Sequence, residues 1–128
     1  MAEMFLAKTP GVLIVEDDPA LRGLYKAMLQ MEGFTVNAVE DGVDALRQIE
    51  LEVPAAVVLD LGLPRLGGRD VSREIMSRIE TREIPIVIIT GQEASDLDPR
   101  QFACILRKPI DPSTLVNAVR DCLRKASA

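Results

Sequence analysis

Five short apolar runs, separated by amphipathic stretches, constrain this chain more than any other feature. GVLIVE (11–16), TVNAV (35–39), AAVVLD (55–60), IPIVIIT (84–90) and ACILRK (103–108) are of strand length and rich in Val and Ile. The first, third and fourth lack the in/out alternation of a strand with one wet face. They read as central strands of a parallel sheet covered on both sides. The second alternates and reads as an edge.

The stretches between them read as helices. Leu21, Leu24, Tyr25, Met28 and Leu29 form one apolar stripe, opened by Asp18-Pro19 and closed by Gly33. A second helix begins near Asp41 with Val43, Leu46 and Ile49 on one side, and a third near Gly67-Gly68 with Val71, Ile75 and Ile79. The last opens at Asp111-Pro112 and carries Leu115, Val119, Cys122 and Leu123 inward. The stretch 92–100 is a weak fourth helix, broken by Asp98-Pro99. Strand and helix repeated in this way predict an α/β fold: a doubly wound, five-stranded parallel sheet with about five helices, the fourth short or irregular. The strand order 2-1-3-4-5, that of flavodoxin-like and CheY-like sheets, is adopted by analogy.

At 128 residues the chain is read as one domain, 1–128, with its core at about 11–125 and no output domain. A formal charge of −5 argues against direct nucleic-acid binding, which needs an excess of Lys and Arg on one face. The arginines from Arg65 to Arg82 are interleaved with Asp70, Glu74, Glu80 and Glu83 and read as a solvated, ion-paired face. Cys104 and Cys122 lack metal-ligand spacing and read as reduced core thiols. The opening MAEMFLAKTP is too short an apolar stretch for a signal-peptide core, and no run approaches the ~20 residues of a membrane span. The expected location is cytoplasmic, away from membranes. There is no histidine, so His-based triads, His-ligated metals and a phosphohistidine carrier role are excluded.

What the strands deliver to their carboxyl ends narrows the chemistry. The first ends in Glu16-Asp17, the third in Asp60, the fourth in Thr90 and the fifth in Lys108. Neighbouring strands lie ~4.8 Å apart, and ligands of such sheets bind beyond the carboxyl ends of the strands. Each residue alone has an ordinary reading as a helix cap, a turn residue beside Gly62 and Pro64, a strand-end hydroxyl or a surface lysine. Independent turn chemistry gives no reason for all of them to meet at one edge. Clustered carboxylates raise one another's pKa, and a hard divalent cation relieves them. Mg²⁺ suits one or two carboxylates, waters and phosphate oxygens. A carboxylate can also attack phosphorus to form an aspartyl phosphate, with a lysine and a hydroxyl supporting the transferred group.

VLIVEDDPALR, VVLDLGLP, IVIITG and LRKPI together resemble the receiver domain of two-component response regulators, over essentially the whole chain. The resemblance implies that Asp60 is the phosphoacceptor. It implies that Glu16 and Asp17 hold Mg²⁺ (or Mn²⁺) with Asp60 and the main-chain carbonyl of Gly62. Thr90 would bind a phosphoryl oxygen and shift when Asp60 is modified. Lys108 would pair with the phosphoryl group, and the Lys108–Pro109 bond would be cis. The phosphodonor would be a histidine kinase or a histidine phosphotransfer protein, acting on a switch that assists its own phosphorylation and is not a turnover enzyme. The kinase, the signal and the protein output target are not legible in the residues.

The chain also departs from that pattern. Ile105 stands where the family carries Tyr or Phe, and 17 residues lie between Thr90 and Lys108, about one helical turn fewer than usual. Gly62 replaces a larger residue, and Gly91 follows Thr90 where Ala is common. These changes leave the acceptor chemistry intact and bear on the output switch through the fourth helix and fifth strand. A receiver-fold binding module with an atypical or lost switch is the alternative reading. An aspartate-nucleophile phosphatase would need a second acid two residues after Asp60, where Gly62 stands. A flavin module of similar topology lacks both a Ser/Thr-rich phosphate loop after the first strand and the aromatics, with three Phe, one Tyr and no Trp.

Overall fold

Each apolar run forms a strand in the computed structural model, which describes residues 11–91 and 94–126. The opening 1–10, read above for a leader, and Gln92 and Glu93 of the expected fourth helix lie outside the described residues. The order along the chain is β1 (Gly11–Val15), α1 (Pro19–Met31), β2 (Thr35–Val39), α2 (Gly42–Leu51), β3 (Ala56–Asp60), α3 (Gly68–Ser77) and β4 (Ile86–Thr90). A 3₁₀ turn (Pro99–Gln101), β5 (Cys104–Arg107) and α4 (Pro112–Ala126) complete it. All pairings are parallel and the sheet order is β2-β1-β3-β4-β5.

Alternation along the strands divides the core into two layers, because successive side chains point to opposite faces. Val12, Ile14, Ala56, Val58, Val87 and Ile89 pack with Tyr25 and Leu29 of α1 and Leu115, Val116, Val119 and Cys122 of α4. Leu13, Val15, Val57, Leu59, Ile86 and Ile88 pack with Ala45 and Ile49 of α2 and Val71 and Ile75 of α3. The central strands are apolar along most of their length because neither face meets water, as β3 and β4, buried at every residue, show most clearly, whereas the edge strands β2 and β5 carry exposed Thr35, Asn37 and Arg107.

The helices start where their caps predict. Asp18 accepts from the Ala20 and Leu21 amides, and Asp41 from the Asp44 amide. Their buried faces are narrower than the apolar spacing suggests. Leu24 is 43% exposed on α1, and α2 buries Gly42, Ala45 and Ile49 while Val43 and Leu46 are half-buried. In α3 the helix stops at Ser77, Arg78 turns extended, and Ile79 beyond it is 77% exposed rather than part of the stripe. Leu123 of α4 is half-buried, and Val116 joins the buried face instead.

The largest correction concerns the helix count. The described residues hold four α-helices, not about five. Asp98-Pro99 opens a single 3₁₀ turn instead of breaking a helix, with Asp98 Oδ1 accepting from the Arg100 amide. Such a device satisfies the first free amides at a helix start, and Pro99 at the first turn lacks an amide to lose. Phe102 then plugs the α2/α3 layer beside the turn. The arginine face also differs from expectation. Arg73 pairs within α3 as the interleaving suggests, and Arg78 just past its end reaches back to Glu74, but Arg78 also reaches Glu50 of α2, Arg65 reaches Asp41 and Asp44, and Arg69 reaches Asp96. Cys104 and Cys122 are free thiols, Cys104 only half-buried.

Candidate functional site

The carboxyl ends of β1, β3 and β4 sit side by side because β1 and β4 flank β3. The register pairs Val15 with Leu59 and Asp60 with Ile89, so the residues after Val15 and around Asp60 and Thr90 share one edge. The Lys108 amide donates to the Thr90 carbonyl at 2.8 Å, which brings the exit of β5 to the same edge. The Lys108–Pro109 peptide is cis.

Three carboxylates converge there. Glu16, Asp17 and Asp60 each offer an oxygen within 4.8 Å of the others, with Glu16 and Asp60 buried and Asp17 exposed. Lys108 Nζ lies 3.0 Å from Asp60 Oδ2 and 2.9 Å from Glu16 Oε1, bridging the two buried acids. The Gly62 amide donates to Asp60 Oδ1 at 2.9 Å, folding the loop after β3 back over the carboxylate. The turn after β1 is held by Arg22, whose Nη1 donates to the carbonyls of Glu16 (3.0 Å) and Asp17 (3.3 Å).

The electrostatics explain why an acid ends an otherwise apolar strand. Burial pushes the Glu16 carboxyl up to about 7, and the neighbouring Asp60 pushes it the same way. Burial also works to raise Asp60, but the Glu16 hydrogen bond, the Gly62 amide and Lys108 outweigh it and hold Asp60 below the ordinary carboxylate range. Desolvation would lower Lys108, yet its two acidic partners raise it above the ordinary lysine value. Near neutrality Asp60 is therefore the charged member of the pair, and Glu16 lies close to its titration point.

These residues fit a divalent cation. Glu16 Oε1 is buried without a hydrogen-bond donor; Lys108 stands close to it as a counter-charge but outside the angles of a directed bond. A buried oxygen of this kind, beside two further carboxylates, is the donor set that hard cations take. A second acidic group, Glu40, Asp41 and Asp44, is already answered by Arg65, whose Nε donates to Asp41 Oδ2 at 2.7 Å.

Thr90 is buried at the end of β4. By alternation it shares the α2/α3 face with Ile86, Ile88 and, on the neighbouring strand, Ile105. Ile105 is half-buried against that layer, so no aromatic side chain stands at its position. Two supporting features, Arg22 and the Arg65 pair, had no signal in the sequence reading, and a third, Gly68, was read only as part of a helix start. An added Cβ on Gly68 would come within 2.6 Å of Leu61 Cα and closer still to the Asp60 carbonyl. Only the Gly67-Gly68 doublet hinted at such close packing of α3 on the end of β3.

The chain is similar to known proteins along most of its length. Residues 12–120 match the family model of the response regulator receiver domain. The response regulator MprA of Mycobacterium sp. (strain KMS) is 37% identical over 121 residues, covering 91% of this chain and 51% of that protein. The chain thus spans about half the length of that relative, and 35% of the MprA of Mycobacterium ulcerans (strain Agy99). Among solved structures, a sensor protein from Polaromonas sp. JS666 matches with a TM-score of 0.83 and 29% identity, covering 93% of this chain and 99% of the other. A CheY-like receiver domain protein from Methanospirillum hungatei JF-1 shares the fold at a TM-score of 0.87 and 21% identity, covering 94% and 98%. With its sheet order, its acidic edge and this match along most of its length, the chain belongs to the response regulator receiver domains of two-component signalling.

Proposed function

We propose that this chain is a phospho-accepting receiver in which Asp60 takes a phosphoryl group from a partner's phosphohistidine. The reading is carried by one observation: Asp60 is buried and shares Lys108 with Glu16, within 4.8 Å of two further carboxylate donors. In the transfer, an Asp60 carboxylate oxygen forms a bond to phosphorus as the phosphorus–nitrogen bond to the donor imidazole breaks, and the imidazole leaves with the bonding pair. Hydrolysis later returns the carboxylate and inorganic phosphate. Glu16, Asp17, Asp60 and the Gly62 carbonyl would hold Mg²⁺ (or Mn²⁺), which when bound neutralises charge on the transferring oxygens.

The chain's own groups supply the rest. The Gly62 amide orients the Asp60 carboxylate, and Lys108 stands ready for a phosphoryl oxygen once the acids have another counter-charge. Thr90 would take a second oxygen. The protein would act as a switch in the cytoplasm, with a histidine kinase or histidine phosphotransfer protein as donor and a protein as output. None of the described helices is long and apolar enough to cross a membrane. The net charge of −5 disfavours direct nucleic-acid contact.

A small phosphodonor such as acetyl phosphate, supplied with Mg²⁺, should add one phosphoryl mass that disappears in Asp60→Asn and in chelator. Undiminished labelling of Asp60→Asn would place the acceptor elsewhere. A second reading, a receiver whose output switch differs from the family's, is favoured by Ile105 and by the absence of an α-helix in described residues 94–103. Beryllofluoride with Mg²⁺, followed by amide NMR, separates the two. Shifts confined to residues around 16, 60 and 108 support the altered switch; shifts through 94–112 support the family's route.

A further inference from the structure

We propose that Arg65 is a positioning residue for the cation site, clamping the loop between β3 and α3 to the start of α2 so that the turn from Asp60 through Gly62 is held ready for a metal. This rests on the reading of Glu16, Asp17, Asp60 and Gly62 as the metal's holders. Among the described residues, Arg65 alone combines a side chain with a positive φ, 63°. In that region the Cβ crowds the backbone, so a non-glycine residue persists there only when its surroundings hold it.

What holds it is a buried carboxylate 24 residues earlier. Arg65 Nε donates to Asp41 Oδ2 at 2.7 Å, and Nη2 lies 3.3 Å from Asp44 Oδ2. Asp41 is 4% exposed and divides its oxygens between two tasks, Oδ1 capping α2 through the Asp44 amide and Oδ2 taking Arg65. Without the guanidinium, that second oxygen would be a buried charge facing a second acid. The backbones also meet here: an added Cβ on Gly42 would sit inside the contact distance of the Leu66 carbonyl. At the other end of the loop, Gly67 starts α3 with no side-chain cap.

An ordinary surface ion pair on a half-exposed arginine would contribute little. This one differs in two respects, since its acid is buried and its arginine is backbone-strained. The loop it fastens carries the Gly62 amide that donates to Asp60 Oδ1, three residues before Arg65. Loosening the clamp should therefore be felt at Gly62 and at the cation.

The test uses amide NMR on the full chain, first in chelator and then with Mg²⁺ alone. Arg65→Gly removes the guanidinium while relieving the backbone. Asp41→Asn keeps the helix cap and removes the charge. Each should weaken Mg²⁺ affinity by about tenfold, as loss of a supporting partner does at metal sites. The double variant should be no worse than the weaker single, because the two residues act as one unit. In chelator, hydrogen exchange of the Gly62 amide should accelerate by a similar factor, and Arg65→Lys should fall between wild type and Arg65→Gly. Wild-type Mg²⁺ affinity and wild-type Gly62 exchange in both single variants, even with a lowered melting temperature, would overturn the proposal and leave a structural tie. Should the wild type bind no Mg²⁺, the metal reading fails by itself. Gly62 exchange in chelator then still decides the clamp, with unchanged rates in Arg65→Gly overturning it.

Discussion

In chelator, the stability of this protein should fall as pH rises from 5 to 7.5, the reverse of acid denaturation. The cause is Glu16, whose carboxyl moves from an ordinary 4.5 to about 7 in the folded chain, chiefly through burial. Across that window the folded state keeps a proton that the unfolded state has lost. Stability therefore decreases with rising pH, and the contribution present below pH 4.5 is gone once the pH passes about 7. Integrated from pH 5 to 7.5, the loss is about 2 kcal/mol. For a domain of this size that corresponds to a drop of roughly 6–8 °C in melting temperature. There is no histidine, and the depressed acids Asp41, Asp60, Asp96 and Asp98 titrate below this window, while the Cys104 and Cys122 thiols and Lys108 titrate above it. Thermal unfolding followed by circular dichroism, in chelator at half-unit pH steps, measures the slope. Glu16→Gln should flatten it. Mg²⁺ at ~100 times its dissociation constant should add ~2.7 kcal/mol, most of it above pH 7 where Glu16 gives up its proton. A level wild-type profile in chelator, or an unchanged slope in Glu16→Gln, would refute the crowded-carboxylate reasoning.

Two glycines should respond in opposite directions. Gly68→Ala puts a Cβ against the Asp60 carbonyl and Leu61 Cα, both backbone, so α3 must back away at a cost of about 1–3 kcal/mol; denaturant unfolding should show it, and wild-type stability would mean that the close approach is not real. Gly23→Ala lies on the exposed face of α1 with nothing within 4 Å, and should stabilise by about 0.5–1 kcal/mol through a less flexible unfolded chain. A lowered midpoint for Gly23→Ala would point to a contact made by that face.

The strand-end constellation was legible because the chemistry of a parallel sheet collects at one edge, and short apolar runs reveal where each strand stops. Glu16, Asp17, Asp60, Thr90 and Lys108 could be placed by counting to those stops, given a strand order. Helix faces were less legible. Spacing marks Ile79 and Leu24 as inward-facing, but whether a position is covered depends on where the helix ends and what lies over it, and both residues are exposed. The weak fourth helix shows the same limit. Its residues carry a cap and a proline, and only packing determines that they make one 3₁₀ turn beside Phe102.

Residue identity by itself determined the class of fold and the chemistry of its edge. Branched apolar runs with no polar alternation must be covered on both faces, and an acid, a hydroxyl and a lysine at their ends have only a few uses in common. Tertiary structure decided the pairings that cross long separations. Examples are Lys108 between Glu16 and Asp60, Arg65 on Asp41, Arg69 on Asp96, and the glycines that let α2 and α3 close on the loop. Such pairings leave no local trace, because they depend on distances through space that exist only after the sheet has brought distant segments together. The raised pKa of Glu16 belongs with them, since burial and the neighbouring Asp60 cause it.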